Sequence, residues 1–245
     1  PNPSDVVDIG EPTRAVWNPQ QAALDAFKDA ASRSPGYHAW LGGLGIDPET
    51  VEAIEDVPYL VKQDVFSGDV NGWLVGGRVS EAAELLTSSG RGGMFSVGVS
   101  SRAEHQVLEA TTDEALRAFG ASEDSPTLLL NCLPMGIAVP TTLATVATPS
   151  VHLEMAQEIY ERLGPDFDRI IVLAEPIFLK EFAERLFAAH GEPWSAAATN
   201  YIVGGEWVSE SWRAYVGGLL GMAGPMDFFA PGILISMGAA ELGLN

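Results

Sequence analysis

Short apolar runs alternate with helical segments over the second half of the sequence. Four runs have the length and aliphatic composition of buried strands: residues 127–130, 169–173, 200–203 and 232–235. Helices are predicted between them: residues 155–163, 177–189 and 209–220. Strands separated by helices are joined by crossover connections, which produce a parallel sheet. The pattern therefore predicts an α/β fold with mostly parallel sheets and flanking helices.

The preceding residues follow a different pattern. Helices are predicted at 22–33 and 48–54, with a helix-breaking segment at 34–36 and an extended segment at 57–66. A strand at 95–99 and a helix at 104–119 then lead into the α/β region. We therefore divide the chain into a helical and irregular region, residues 1–83, packed on an α/β core, residues 84–245.

Charge and cysteine content restrict the partners and the compartment. The sequence carries 33 acidic and 13 basic residues, a net charge of −20. This balance disfavours nucleic acid and anionic membranes, since both are bound by clustered Lys and Arg. The sequence has no apolar run long enough to span a membrane and no signal-peptide pattern in its first residues. With Cys132 as its single cysteine, we expect a cytoplasmic protein without disulfides.

Residues 87–96 form a segment rich in glycine and hydroxyl groups. The hydroxyls belong to Thr87, Ser88, Ser89 and Ser96, and Gly90, Arg91, Gly92 and Gly93 lie between them. Glycines let successive backbone N–H groups turn toward an anion, hydroxyls add donors, and arginine offsets phosphate charge. A solvated hairpin or linker has the same composition. The segment is not a Walker loop, because it lacks the terminal Gly-Lys-Ser/Thr.

Two further glycine-containing turns follow predicted strands. Gly204, Gly205 and Glu206 come after the third strand, and residues 236–241 come after the fourth. In parallel α/β sheets, ligands bind outside the carboxyl ends of the strands. Both turns are therefore candidates for a binding site.

Taken together, these segments resemble the motifs of the adenylate-forming, or acyl-activating, enzymes. Thr87-Ser88-Ser89-Gly90 and Gly93 resemble the phosphate loop Thr-Ser-Ser-Gly-Thr-Thr-Gly-Lys-Pro, and Gly204-Gly205-Glu206 resembles the adenine-side loop. Ser236-Met237-Gly238-Ala239-Ala240-Glu241 resembles the motif Tyr-Gly-x-Thr-Glu. Residues 58–64 resemble the Pro-x-x-x-Lys-x-Asp segment of the phenylacetate–CoA ligase and acyl-protein synthetase branch.

The resemblance implies ATP- and Mg²⁺-dependent activation of a carboxylic acid as an acyl adenylate, followed by transfer to a thiol. That thiol belongs to CoA, a carrier protein or an enzyme cysteine. The resemblance assigns phosphate binding to residues 87–96 and makes Glu241 the catalytic Mg²⁺ ligand. It assigns the adenine side of the site to Gly204, Gly205, Glu206, Met237 and Gly238. Nucleotide and acyl binding then fall to residues 84–245. A homodimer is left open.

The sequence also departs from the family. Met237 stands where the family has tyrosine, Ala240 replaces threonine, and Met94-Phe95 replaces Lys-Pro. The family's small C-terminal domain with its catalytic lysine has no counterpart here, so we expect the large N-terminal portion of a longer protein. Two alternatives are a non-catalytic scaffold that keeps the fold and a half-enzyme completed by a separate C-terminal domain.

Other residue types give weaker signals. His38, His105, His152 and His190 lack metal-ligand spacing. Cys132 is expected to be buried and inert, although the loop that follows it is a candidate wall of an acyl pocket. Aromatic residues of the C-terminal third are expected mainly in the core, with an acyl-pocket wall as the alternative: Trp194, Trp207, Trp212, Phe228 and Phe229.

Overall fold

Two units make up the chain, Pro1–Glu81 and Ala82–Asn245. The structure is a computed structural model and describes residues 18–88, 95–222 and 232–236. In these ranges, no helix is both long and apolar enough to cross a membrane.

The first unit is helical, with α1 at Pro19–Arg33, α2 at Pro35–Gly43 and α3 at Lys62–Phe66. Leu24, Phe27 and Ala31 of α1 are buried, as their helical spacing predicts. They pack in one core cluster with Tyr37 and Leu41 of α2. The predicted extended segment at 57–66 is wrong in its second half, because Lys62–Phe66 form helix α3.

Helix α2 was not predicted, because Ser34 and Pro35 were interpreted only as a helix breaker. The Ser34 N–H donates to the Ala30 carbonyl at the end of α1. The Ser34 hydroxyl in turn accepts from the Tyr37 N–H at the start of α2. Serine is a favoured N-cap and proline a favoured first helical residue, so this dipeptide starts a helix as readily as it ends one.

The second unit begins with an antiparallel hairpin of β1, Glu84–Thr87, and β2, Val97–Ser100. Helix α4, Arg102–Ala118, follows, with Ser101 and Glu104 forming a reciprocal capping box at its start. The predicted strand and helix in this region are both present, with shifted ends.

A five-stranded parallel sheet forms the rest of the unit, in the order β4-β3-β5-β6-β7. Its strands are β3 Thr127–Asn131, β4 Thr145–Ala147, β5 Arg169–Ala174, β6 Ala198–Val203 and β7 Ile233–Ile235. The helices between them are α5 Leu153–Arg162, α6 Pro176–His190 and α7 Glu210–Leu219. The predicted α/β fold with a parallel sheet and flanking helices is confirmed. Strand β4 was not predicted.

Alternate residues of each strand face two different cores. Leu128 and Leu130 of β3 pack in a cluster with residues of α5, α6 and α7. Leu129 of β3 points the other way and packs with Leu116 and Phe119 at the end of α4. Because side chains alternate along a strand, the three crossover helices cover one face and α4 covers the other.

Candidate functional site

A cavity of about 540 Å³ lies on the α4 face of the sheet, toward the carboxyl ends of its strands. Its floor contains sheet residues that face α4, including Leu129, Leu173, Ile202 and Leu234. Residues that follow the strand ends also line it: Leu133 after β3, Glu175 after β5, Gly204 and Gly205 after β6, and Ser236 after β7. The cavity therefore occupies the position where parallel sheets of this kind bind ligands.

Three sequence segments identified by their motifs line this one cavity. Thr87 and Ser88 come from the end of β1, Gly204 and Gly205 from the end of β6, and Ser236 from the end of β7. Parallel pairing holds the last two segments together, since the Ser236 N–H donates to the Val203 carbonyl at 2.7 Å. A β-carbon added to Gly204 would lie 3.3 Å from the Ser236 carbonyl oxygen, so the glycine permits this close approach.

Ser88 and Ser96 close the base of the segment between them. The Ser88 N–H donates to the Ser96 carbonyl at 3.0 Å, and the Ser96 N–H donates to the Ser88 hydroxyl oxygen at 2.9 Å. Ser96 is fully buried and is not part of the cavity lining, whereas Thr87 is exposed at the cavity. Ser96 therefore anchors the hairpin, and Thr87 and Ser88 are the residues of this segment that line the cavity.

Gly205 and Glu206 differ in their relation to the cavity. Gly205 has φ +89°, a left-handed conformation that side chains rarely adopt, and it lines the cavity. Glu206 is exposed and does not line it. The sequence motif thus contributes backbone at Gly205 rather than the Glu206 carboxylate.

The remaining predicted site residues lie outside the described ranges: Ser89, Gly90, Arg91, Gly93, Met237, Gly238 and Glu241. Within residues 18–88, 95–222 and 232–236, no group of three or more His, Cys, Asp or Glu side chains could hold a metal ion.

An irregular wall of the cavity follows β3. Its residues from Leu133 to Pro140 are mostly apolar, and the Ile137 N–H donates to the Pro134 carbonyl at 3.4 Å to close a turn. Met135 has φ +62° in this turn and lines the cavity. The buried Asn131 amide holds the wall from within by donating to the Ile137 carbonyl at 2.7 Å.

A buried carboxylate ties the far end of this wall to α4. Asp113 is 7% exposed and accepts hydrogen bonds from the Thr141 hydroxyl, the Thr142 hydroxyl at 2.5 Å and the Thr142 N–H at 3.0 Å. Burial raises the pKa of Asp113, but these hydrogen bonds lower it by more, so the pKa lies below its usual range. The sequence offered no signal for this contact, because Thr141 and Thr142 lie 28 and 29 positions after Asp113.

Cys132, Trp194, Trp207 and Trp212 do not line the cavity. Cys132 is fully buried, and burial raises the pKa of its thiol to about 12. Trp194 and Trp212 pack against the core on the opposite face of the sheet, and Trp207 is 86% exposed. Trp194 and Trp212 thus pack with the core as expected, since Trp212 belongs to α7 and Trp194 follows α6. The alternative of an acyl-pocket wall is not met by Trp194, Trp207 or Trp212, because none of them lines the cavity. Phe228 and Phe229 lie outside the described residues.

The fold and cavity define a class: α/β proteins that bind their ligand at the carboxyl ends of a parallel sheet. Among solved structures, the chain is similar to 2-hydroxyisobutyryl-CoA ligase, an adenylate-forming enzyme, in an open conformation with 2-HIB-AMP and CoA (TM-score 0.67, 13% identity, 91% of this chain and 50% of that one). A second match is the same ligase with 2-HIB-AMP and CoA in its thioesterification state (TM-score 0.62, 13% identity, 82% and 47%).

At this identity the likeness shows a shared fold, and the chain spans about half of the length of those ligases. No protein-family model matches the sequence, and a search among curated proteins finds no match.

Proposed function

We propose that this chain is the nucleotide- and acid-binding part of an ATP-dependent enzyme that activates a carboxylic acid as an acyl adenylate. The activated acyl group then passes to a thiol. The observation that carries this proposal is that the three motif segments, represented by Ser88, Gly205 and Ser236, line one cavity. The solved ligases that share its fold, in complex with an acyl-AMP and CoA, support it further.

The residues of the cavity fit the chemistry of adenylation. The reaction requires an acid oxygen to be positioned against the α-phosphate of ATP while pyrophosphate leaves, and most of the catalysis is positioning and charge stabilisation. Thr87 and Ser88 offer hydroxyl donors at one side of the cavity. On the other side, Gly205 exposes its backbone and lets the flat face of a base approach closely.

Metal binding belongs to a residue beyond the described ranges. Glu241 is proposed to bind Mg²⁺, a hard ion that takes carboxylate oxygens and supplies positive charge beside the phosphates. Arg91 is proposed to compensate phosphate charge. Ser89, Gly90 and Gly93 complete the proposed phosphate loop.

The acceptor thiol is not a cysteine of this chain. Cys132 is its single cysteine, and that thiol is fully buried with a pKa of about 12. Nucleophilic attack requires an accessible thiolate, which Cys132 does not supply at neutral pH. We therefore propose that the acceptor thiol lies outside residues 1–245 and belongs to CoA, a carrier protein or a cysteine of another part of the enzyme. The proposal also includes membership of the phenylacetate–CoA ligase and acyl-protein synthetase branch and a cytoplasmic location. It further includes a longer natural chain with a C-terminal domain that carries the lysine.

Carboxylate-dependent exchange of pyrophosphate into ATP by the full-length protein tests the proposal. The wild type should exchange with at least one acid of a broad panel, and Gly205→Ala should lose most of this activity. Gly218→Ala is the matched control, because a β-carbon at Gly218 meets open space and its φ is not positive. Absence of exchange over the whole panel would contradict the proposal.

A second candidate is a scaffold that keeps the fold without the reaction. Met237 and Ala240 favour it, because each replaces a side chain that contacts the nucleotide in the family that the sequence resembles. Calorimetry with ATP and Mg²⁺ separates the two, since a scaffold would bind no nucleotide. If exchange appears only after a separate lysine-bearing domain is added, the protein is a half-enzyme.

A further inference from the structure

Glu175 places a charge in a cavity whose other described lining residues are uncharged. Among the residues that the structure describes, it is the one ionisable side chain in the cavity lining. The other polar lining side chains carry hydroxyl groups: Thr87, Ser88, Thr111, Thr112 and Ser236. A carboxylate in these surroundings decides which charged ligands can enter.

Glu175 lies at the end of β5, beside the turn that follows β6. It directly follows β5, and its φ of −75° and ψ of 153° are extended, before α6 begins with Pro176. Its side chain makes no capping hydrogen bond to α6. A β-carbon added to Gly205 would lie 3.5 Å from Glu175 Oε1, so the carboxylate lies beside the turn that follows β6.

The Glu175 carboxylate has no partner among the described residues. The Glu175 backbone carbonyl accepts from the Leu179 N–H at 3.0 Å, but the carboxylate forms no hydrogen bond or ion pair with any residue in 18–88, 95–222 and 232–236. The side chain is half-buried, so its carboxylate gives up part of its hydration in the cavity. A hydrogen-bond donor or a cation on the ligand would restore that interaction, and a second anion would lose further energy through repulsion.

Glu175 also separates two parts of the lining. Toward β6 and β7 lie Gly204, Gly205 and Ser236 of the motif turns, and toward β3 lies the mostly apolar wall from Leu133 to Pro140. A ligand that extends from the motif turns into the apolar wall would pass Glu175. Under the proposed function, the part of the ligand beside this wall is the body of the acid.

The geometry points to Glu175 as the specificity-determining residue for the acid, an inference that rests on the proposed function. It selects a monocarboxylic acid whose apolar body carries a hydrogen-bond donor, such as a hydroxyl or ammonium group. It rejects dicarboxylic acids, because the body of the acid passes Glu175 and a second carboxylate on that body would be repelled at short range.

Four acids with one six-carbon skeleton test this selectivity: hexanoic, 6-hydroxyhexanoic, 6-aminohexanoic and adipic acid. Both kcat/KM for pyrophosphate exchange and calorimetric affinity without ATP are measured on the full-length protein. The wild type should prefer the hydroxy or amino acid to adipic acid. Glu175→Gln keeps the size and removes the charge, and it should shift this preference toward adipic acid by about tenfold.

Glu181→Gln is the control, because Glu181 is an exposed residue of α6 outside the cavity lining. It should leave the preference unchanged. Thermal unfolding of each variant establishes that it folds, and a role confined to the start of α6 would change the melting temperature without changing acid preference.

The outcomes separate the two proposals. Exchange that proceeds with an unchanged acid preference in Glu175→Gln overturns the role of Glu175 and leaves the proposed function intact. Absence of exchange with every acid of the broad panel overturns the proposed function, and the calorimetric preference then decides the role of Glu175 independently. If the wild type binds none of the four acids, the role of Glu175 is overturned, whatever the exchange result with other acids.

Discussion

Replacing Asp113 removes the contact that fixes the cavity wall to α4. Three donors converge on this buried carboxylate: the hydroxyls of Thr141 and Thr142 and the Thr142 N–H. A hydrogen bond to a charged group contributes about 1.5–3 kcal/mol, and bonds that share one acceptor are not additive. Because Thr142 is exposed, its hydroxyl regains a water partner in the variant. We therefore expect Asp113→Ala to lower the free energy of unfolding by about 3 kcal/mol.

Asp113→Asn isolates the contribution of charge. The amide keeps one acceptor oxygen and nearly the same volume, so we expect a smaller loss of about 1–2 kcal/mol. Urea unfolding followed by tryptophan fluorescence measures both losses at pH 7. Glu114→Gln is the control on the same helix, since Glu114 is 82% exposed and its ion pair with Arg117 spans 3.7 Å.

The pH dependence of these losses gives a second check. Because the pKa of Asp113 is lowered in the folded protein, its contribution is present above the ordinary carboxyl pKa of 3.8 and is lost as the pH falls through the folded value. The stability difference between wild type and Asp113→Asn should therefore shrink below about pH 4. Two results would refute this role of Asp113. One is a loss of unfolding free energy under about 0.5 kcal/mol for Asp113→Ala, and the other is a stability difference between wild type and Asp113→Asn that does not change with pH.

Four further predictions concern three residues of the second unit. Cys132 should resist iodoacetamide in the folded protein at pH 8 and react after unfolding. Mass spectrometry measures the labelling, and fast labelling in both states would contradict the burial of Cys132. Above pH 9 the unfolded thiol ionises while the folded one does not, so the stability of the wild type should fall relative to Cys132→Ala as the pH rises toward 12. Ser88→Ala removes the acceptor of the Ser96 N–H and should weaken ATP binding in calorimetry; unchanged affinity would exclude Ser88 from the site. Gly205→Ala should lower the free energy of unfolding by at least about 1 kcal/mol, because alanine is strained in the left-handed backbone conformation of Gly205. An unchanged melting temperature would contradict this expectation.

The parallel sheet was predictable because its central strands are continuous aliphatic runs. Leu128, Leu129 and Leu130 are all buried, two on one face and one on the other, and this composition requires cover on both faces. Strand β4 was not predictable in the same way, because it has three residues, pairs with β3 on one side and is partly exposed. Its sequence carries no apolar run.

The site was predictable where it follows from sheet topology and not where it depends on contacts distant in sequence. Gly204 and Ser236 follow neighbouring parallel strands, so their proximity is a direct consequence of that pairing. Glu175 follows β5 in the same manner, and the same rule applied to that strand would have identified it. Asp113 could not have been found, because the register of α4 against Thr141 and Thr142 is a product of packing.

The arrangement of the helices gives the two faces of the sheet separate sets of contacts, and the cavity lies on the α4 face. Leu128 and Leu130 face the layer of crossover helices, whereas Leu129 faces α4 and the cavity. Substitutions at positions that share no partner contribute independently to the free energy. Under the proposed function, substitutions in the cavity lining would therefore change acid preference without altering the contacts of the helical layer. A laboratory library confined to the wall from Leu133 to Pro140 would use the same independence.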